Sequence, residues 1–117
     1  MKNPSLIKAF QYALEGVATA FKEERNLRIH SAVALIVIVA GLIAKLDPVV
    51  MAILCIVIGL VITAELFNSV IERIMDFIQI EPDPRIKAIK DISAAAVLIV
   101  AVTAAVVGII LVYAYYT

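Results

Sequence analysis

The most constraining feature of the sequence is an uncharged apolar run that leads directly into a row of acidic side chains. Residues 49–64 contain no charged side chain, and the carboxylates begin at the next position. At roughly 100° per residue of α-helix, four polar residues that follow fall within an arc of about 80°. They are Glu65, Asn68, Glu72 and Asp76, hereafter the acidic stripe. A carboxylate costs roughly 2.5 to 3.5 kcal/mol at the centre of an inserting helix. The sequence therefore predicts a membrane span whose acidic end lies near the water boundary and serves a function.

The composition assigns the whole chain to the membrane proteins. Hydrophobic residues make up 64% of the 117 residues, and the mean hydropathy is +1.08. In a soluble domain only about half of the residues are apolar. The single cysteine, Cys55, lies in an apolar run, which excludes a disulfide framework or a multi-cysteine metal site within the chain. The first long apolar run begins near Ile29, so no cleaved leader is expected.

The apolar pattern predicts an all-α membrane protein that forms one membrane-embedded domain. Asn3 and Pro4 are typical of a helix start, and apolar residues then recur at three- and four-residue spacing as far as Phe21. This pattern predicts an amphipathic surface helix lying along the membrane interface. The first span is short for the hydrocarbon core, so we expect its helix to extend backward beyond Ile29. The predicted elements are the surface helix at 1–28 and transmembrane helices at about 29–46, 49–78 and 92–116. Between the second and third spans, Pro82 and Pro84 exclude an uninterrupted helix.

The distribution of basic residues predicts the topology. Of the ten Lys and Arg residues, nine belong with the N-terminus or with the Pro82 loop, and Lys45 stands alone on the other side. The positive-inside rule then places the N-terminus and the Pro82 loop in the cytoplasm and the C-terminus outside. As a consequence, Glu24, the end of the acidic stripe and Lys90 all reach the same cytoplasmic boundary.

The acidic stripe is compatible with more than one function. Carboxylates on successive turns, together with basic residues, are suited to Mg²⁺ and phosphate. The same residues are also suited to an ion or proton path, to pairing with Arg73 and Lys90 that satisfies buried charge, or to a membrane assembly protein without chemistry. The chain has neither of the glycine-rich phosphate-binding motifs of soluble nucleotide-binding proteins. His30, the only histidine, and Tyr12 are predicted to be interfacial residues.

The order of these motifs resembles a known family. The stretch from Glu65 to Glu72, then Asp76, and the Lys90-Asp91 pair leading into residues 94–99 closely resemble the signature of the small bacterial integral-membrane diacylglycerol kinases. The resemblance covers nearly the whole chain. Residues 24–30, which include Glu24 and His30, look more like the undecaprenol kinase branch of Gram-positive bacteria.

The resemblance implies a homotrimer in the bacterial inner membrane, with a MgATP site at the cytoplasmic boundary that neighbouring chains share. It implies that Glu65 is the general base, that Glu72 and Glu24 bind the metal, and that Asn68 orients Glu65 or the substrate. The positions that it implies around ATP and its phosphates are Asp76, Lys90, Asp91, Tyr12, Glu81 and Asp83. Two residues depart from the family pattern, since Ser5 stands in place of an arginine and Ala94 in place of a serine.

We therefore expect a lipid kinase that phosphorylates the hydroxyl of a membrane lipid alcohol, with Mg²⁺ as cofactor and ATP as phosphoryl donor. Undecaprenol is the preferred substrate and diacylglycerol is the alternative. A small ion-translocating membrane subunit is the alternative that involves no enzyme. No nucleic-acid partner is expected.

Overall fold

The computed structural model describes residues 5–79 and 81–117, and in these residues it contains four α-helices and no strand. Helix α1 spans Leu6–Glu23, α2 spans Arg25–Ile43, α3 spans Pro48–Ile78 and α4 spans Pro84–Tyr116. Helix α3 packs against both α2 and α4, and α1 packs against α2. The prediction of an all-α membrane protein with one amphipathic helix and three apolar helices is confirmed.

The three longer helices are long and apolar enough to cross a membrane. Their most apolar stretches have mean hydropathies of 1.9, 2.8 and 3.0 for α2, α3 and α4. At about 1.5 Å per residue, the 31 residues of α3 extend for about 46 Å. The hydrocarbon core of a bilayer is only about 30 Å thick. A hydrocarbon core that begins at the first turn of α3 would therefore end close to Glu65, and the last turns of α3 would extend past it.

A sharp break separates α1 from α2 at Glu24, whose backbone is extended at φ −108° and ψ 106°. The guanidinium of Arg28 folds back across the break and donates hydrogen bonds to the carbonyl oxygens of Phe21 and Lys22, at 2.7 and 3.0 Å. The last carbonyl groups of a helix have no partner within it, so this side chain stabilises the end of α1. Leu27, next to the break, is the most deeply buried large side chain of the described residues.

The turn between α2 and α3 closes α2 with a left-handed residue. The amide of Leu46 donates to the carbonyl of Gly41 at 3.1 Å, and the amide of Lys45 donates to the carbonyl of Leu42 at 3.2 Å. Lys45 has φ 55° and is the one described non-glycine residue with a positive φ. This pair of bonds around a left-handed residue is the Schellman motif, in which glycine is the usual occupant.

Two boundaries differ from the sequence-based expectation, the end of the surface helix and the start of the helix of the third span. The surface helix ends at Glu23 rather than at residue 28, and residues 25–28 belong to α2. The backward extension of the first span is thereby confirmed. The predicted helix start at Asn3 and Pro4 lies outside the described residues, and within them Ser5 is the N-cap of α1. The helix of the third span begins at Pro84 rather than near residue 92, because the Asp83 side chain accepts from the amide of Arg85 and Pro84 occupies the first turn.

Candidate functional site

Glu65 is the deepest carboxylate of the acidic stripe. Its side chain is 7% exposed, and its Oε1 lies 2.7 Å from Nδ1 of His30 on α2. This is a hydrogen-bond distance, although the ring N–H does not point along the line to the oxygen. A buried carboxylate needs a polar or charged partner, and His30 is the one side chain among the described residues that comes this close to it. The prediction of His30 as an interfacial residue missed this contact.

A second cluster lies one turn further along α3 and holds the α1–α2 break against it. The hydroxyl of Ser69 donates to Oε1 of Glu24 at 2.8 Å, and the guanidinium of Arg73 donates to Oε2 of Glu23 at 3.0 Å. The Arg73 guanidinium also lies 3.5 Å from Oε1 of Glu24. Ser69 is buried, whereas Arg73 is about half exposed, at 48%. The sequence-based interpretation did not include Ser69 or Arg73 among the functional residues.

The end of the acidic stripe pairs with α4. The ammonium of Lys90 lies 2.5 Å from Oδ1 of Asp76, and it is close enough to Glu72 to interact with that carboxylate electrostatically. Asp91 pairs within its own helix, 2.6 Å from the ammonium of Lys87. Of the alternatives left open by the sequence, pairing of the carboxylates with Arg73 and Lys90 is therefore present in part. It does not involve Glu65.

Asn68 lies between Glu65 and Glu72 on the same face of α3. Its Oδ1 is buried and has no hydrogen-bond partner among residues 5–79 and 81–117. Leaving a buried acceptor without a partner costs about 1–3 kcal/mol. Such an atom within a row of carboxylates is typical of a position that a ligand or a water molecule completes.

A polar cavity of about 490 Å³ lies where α3 ends and α4 begins. Asp83 lines it and caps α4, accepting from the amide of Arg85 at 2.8 Å and from its guanidinium at 3.0 and 3.2 Å. These hydrogen bonds from the Arg85 side chain and backbone hold the pKa of the Asp83 carboxyl below its usual range. Other polar side chains that line the cavity are Asp76, Gln79, Glu81, Lys87, Lys90 and Asp91. The cavity therefore combines cationic and anionic groups beside the membrane boundary.

An apolar groove of about 380 Å³ lies on the other side of Glu65, between α2, α3 and α4. Among the described residues that line it, His30 is the one polar side chain. The other residues of its walls are Val33, Ala34, Val37, Leu54, Val57, Ile58, Val61, Ile62, Ala101, Ala104, Ala105 and Gly108. The groove is suited to hydrocarbon, and His30, which lines it, also contacts Glu65 of the acidic stripe.

The structure brings some of the predicted site residues together and leaves others apart. It joins Asp76 with Lys90 and lines one cavity with Glu81, Asp83 and Asp91. No three Asp, Glu, His or Cys side chains converge on a metal position in the described residues, so Glu24 and Glu72, predicted to bind the metal, belong to no three-ligand cluster. Tyr12 lies on α1, is 54% exposed, and makes no side-chain hydrogen bond with the other predicted residues that the structure describes.

Comparison with known proteins relates the chain to one family. The family described as prokaryotic diacylglycerol kinase matches residues 11–112. The diacylglycerol kinase of Synechocystis sp. is 36% identical over 106 residues, which cover 90% of this chain and 61% of the relative. The undecaprenol kinase of Bacillus subtilis is 33% identical over 104 residues, which cover 89% of this chain and 85% of the relative.

The diacylglycerol kinase of Escherichia coli K12 is 29% identical over 111 residues, which cover 95% of this chain and 91% of the relative. The chain thus spans about three fifths of the cyanobacterial relative, at 61%, and most of the other two. The family match extends from α1 to the last turns of α4. The chain therefore belongs to the prokaryotic diacylglycerol kinase family.

Proposed function

We propose that this chain is a lipid kinase that transfers the γ-phosphoryl group of ATP to the hydroxyl of a membrane lipid alcohol. The observation that carries the proposal is the position of Glu65, a buried carboxylate between an apolar groove and a row of charged side chains. A lipid alcohol reaches the boundary from the hydrocarbon side, and ATP reaches it from water. The names of the relatives, diacylglycerol kinase and undecaprenol kinase, support this reaction class.

In this proposal Glu65 acts as the general base. It accepts the proton of the lipid hydroxyl as the oxygen attacks the γ-phosphorus, and the bond between that phosphorus and the β–γ bridging oxygen breaks to release ADP. Proton transfer of this kind contributes about 10² to 10⁴-fold to a rate. Asn68, one turn further along α3, orients Glu65 or the substrate, and its unpartnered Oδ1 supports such a contact.

The charged groups beyond Glu65 would hold the nucleotide. Lys90, which is 2.5 Å from Asp76, is placed to exchange that carboxylate for a phosphate oxygen. The cavity at the α3–α4 connection offers Glu81, Asp83 and Asp91 for contacts around the nucleotide. The family resemblance adds Tyr12 to the residues proposed to contact the nucleotide. Because Tyr12 makes no hydrogen bond to this cluster within the described chain, its proposed role depends on another subunit or on the bound nucleotide.

Glu24 and Glu72 would hold Mg²⁺. A magnesium ion that arrives with ATP needs only one or two protein carboxylates, because phosphate oxygens and water complete its octahedron. A two-carboxylate donor set fits that requirement, even though the described residues contain no three-ligand cluster. When bound, Mg²⁺ neutralises charge on the phosphates and fixes their orientation. Ser69 and Arg73 hold Glu24 against α3, which keeps its carboxylate on the side of the acidic stripe.

We propose further that the enzyme is a homotrimer in the bacterial inner membrane, with its N-terminus and active site in the cytoplasm. The distribution of Lys and Arg supports that orientation. The subunit number follows the family resemblance. Cross-linking in the native membrane, read as the mass of the cross-linked species, tests the subunit number.

The ion-translocation alternative gains no support from the spans. An ion path needs polar groups along its length. The hydroxyl of Thr103 donates to the carbonyl of Ile99 in its own helix at 2.8 Å, and the groove between the spans is apolar except for His30. We therefore favour a lipid kinase over an ion-translocating subunit.

The proposal is tested with purified protein in mixed detergent micelles supplied with labelled ATP and Mg²⁺. Undecaprenol and diacylglycerol are offered singly and in competition, and phosphorylated lipid is measured. We expect Glu65→Gln to lower turnover by about 10² to 10⁴-fold while ATP binding is retained. Wild-type turnover in that variant would exclude Glu65 as the base. ATP consumption that does not depend on either lipid would contradict the lipid kinase assignment.

A further inference from the structure

We infer that His30 is the positioning residue of the proposed general base: its imidazole holds one oxygen of Glu65 and leaves the other free for the lipid hydroxyl. The inference rests on the proposed function and deepens it. His30 is one of the polar residues that the sequence-based reading assigned to the interface and to no function. Its position relative to Glu65 follows from the packing of α2 against α3.

The contact between His30 and Glu65 involves one atom of each side chain. Nδ1 of His30 is 2.7 Å from Oε1 of Glu65, and no other charged side chain of the described residues pairs with this carboxylate. Glu65 is 7% exposed, so water does little to fix its orientation. Without a partner, a glutamate has three rotatable side-chain bonds and no fixed direction for its oxygen atoms. Loss of the His30 contact therefore releases the base from the geometry that the reaction needs.

The two residues lie on different helices at the boundary between the groove and the acidic stripe. His30 lines the apolar groove, with its side chain 34% exposed, whereas Glu65 belongs to the stripe. A lipid alcohol whose hydrocarbon lies in the groove therefore passes the imidazole before its hydroxyl reaches the carboxylate. The ring N–H is not aligned with Oε1 in the chain alone. Hydrogen bonds of catalytic groups are often poorly aligned in the absence of substrate and tighten in the complex.

Two substitutions separate hydrogen bonding from packing. His30→Asn keeps an N–H donor close to the position of Nδ1, and His30→Leu keeps a side chain of similar size without a donor. We expect His30→Leu to lower kcat by about 10²-fold, as a small misplacement of a catalytic group does, with the KM for ATP changed by no more than about twofold. We expect His30→Asn to retain kcat within about threefold of wild type. Ser31→Ala is the matched control, because the Ser31 hydroxyl is buried next to His30 and has no partner among the described residues.

A double-mutant cycle decides whether His30 acts through Glu65. If it does, His30→Leu lowers kcat strongly in the wild-type background and has almost no effect when Glu65→Gln is already present. Equal effects of His30→Leu in both backgrounds overturn the inference, since His30 then acts on the substrate independently. Wild-type kcat in His30→Leu, or an equal loss in His30→Asn and His30→Leu, overturns it as well.

The same experiment distinguishes this inference from the proposed function. If wild-type protein phosphorylates no lipid, the proposed function fails before His30 is considered. If wild-type protein phosphorylates lipid and Glu65→Gln does not, while His30 variants are unaffected, only the role of His30 is refuted. Each variant is first compared with wild type by thermal unfolding in the assay detergent, so that a loss of kcat is measured on folded protein.

Discussion

The hydroxyl of Ser69 donates a 2.8 Å hydrogen bond to Oε1 of Glu24, and so connects two residues that are 45 positions apart in the chain. Glu24 lies between the last residue of α1 and the first residue of α2, and Ser69 is buried on α3. This hydrogen bond therefore links the orientation of α1 to the part of α3 that carries the acidic stripe. A hydrogen bond to a charged group contributes about 1.5–3 kcal/mol, roughly twice the contribution of a neutral one.

Replacement of Ser69 by alanine tests this coupling. Ser69→Ala removes the donor and leaves Glu24 with Arg73 as its one remaining partner in the described residues. We expect the free energy of unfolding to fall by about 1–2 kcal/mol, measured by denaturant titration in detergent. Ser31→Ala is the control, because it removes a buried hydroxyl that has no partner in the described chain. Equal losses in the two variants would show that the Glu24 contact contributes nothing specific.

The Asp76–Lys90 ion pair joins the C-terminal end of α3 to the N-terminal end of α4. Its side chains are 67% and 35% exposed, so we expect only a weak coupling in the free energy of unfolding from the cycle of Asp76→Asn, Lys90→Gln and the double variant. The Lys87–Asp91 pair lies within one helix and is more exposed, at 77% and 62%. The cycle of Lys87→Gln and Asp91→Asn is the control, and we expect its coupling in the free energy of unfolding to be equally weak.

Activity should respond to the Asp76–Lys90 pair much more strongly than stability does. Exchange of the two charges, Asp76→Lys with Lys90→Asp, keeps opposite charges on the two helices but places a carboxylate where the proposed phosphate contact lies. We expect stability close to wild type and turnover lowered by about 10²-fold or more, because an electrostatic contact to the phosphoryl group is replaced by a repulsive one. Full turnover in the exchanged variant would refute a role for Lys90 at the phosphates.

The helices and the acidic stripe were predictable because their signals are local. A run of apolar residues defines a span, and the spacing of Glu65, Asn68 and Glu72 along one helix defines a shared face. The partners across helices were not predictable. The contact between His30 and Glu65 depends on the rotation and the axial offset of α2 against α3, and spacing within either helix carries no information about them.

The early start of α4, by contrast, could have been predicted from the sequence. The apolar pattern begins only near residue 92 and therefore predicts a loop as far as residue 91. Asp83 followed by Pro84 is the combination of an N-cap and a first-turn proline that marks a helix start. Pro84 was interpreted as a residue that interrupts a helix, whereas it begins one. The break at Glu24 carries no comparable marker, since neither glycine nor proline occurs there.

The cap of α4 should make its first turn sensitive to acid. Because the folded-state pKa of Asp83 lies below its usual value, its stabilising contribution is present above the unfolded pKa, about 3.9, and is lost as the pH falls through the lower folded value. We expect the carbon chemical shifts of residues 84–88 to move toward coil values below about pH 4. In Asp83→Asn, which retains a capping oxygen but carries no charge, this transition should disappear. A transition that persists in that variant would have to originate from another carboxyl group.

The left-handed conformation of Lys45 offers a stabilising substitution. A side chain at φ 55° brings Cβ close to the following carbonyl group, at a cost of about 1–2 kcal/mol that glycine does not incur. Lys45→Gly should therefore raise the free energy of unfolding by up to about 1 kcal/mol, since the added freedom of glycine in the unfolded chain offsets part of the gain. Lys45→Ala is the matched control: it removes the same charge and retains Cβ, so it should give no such gain. If both variants raise stability equally in thermal unfolding, the gain comes from removal of the lysine side chain and the backbone conformation contributes nothing.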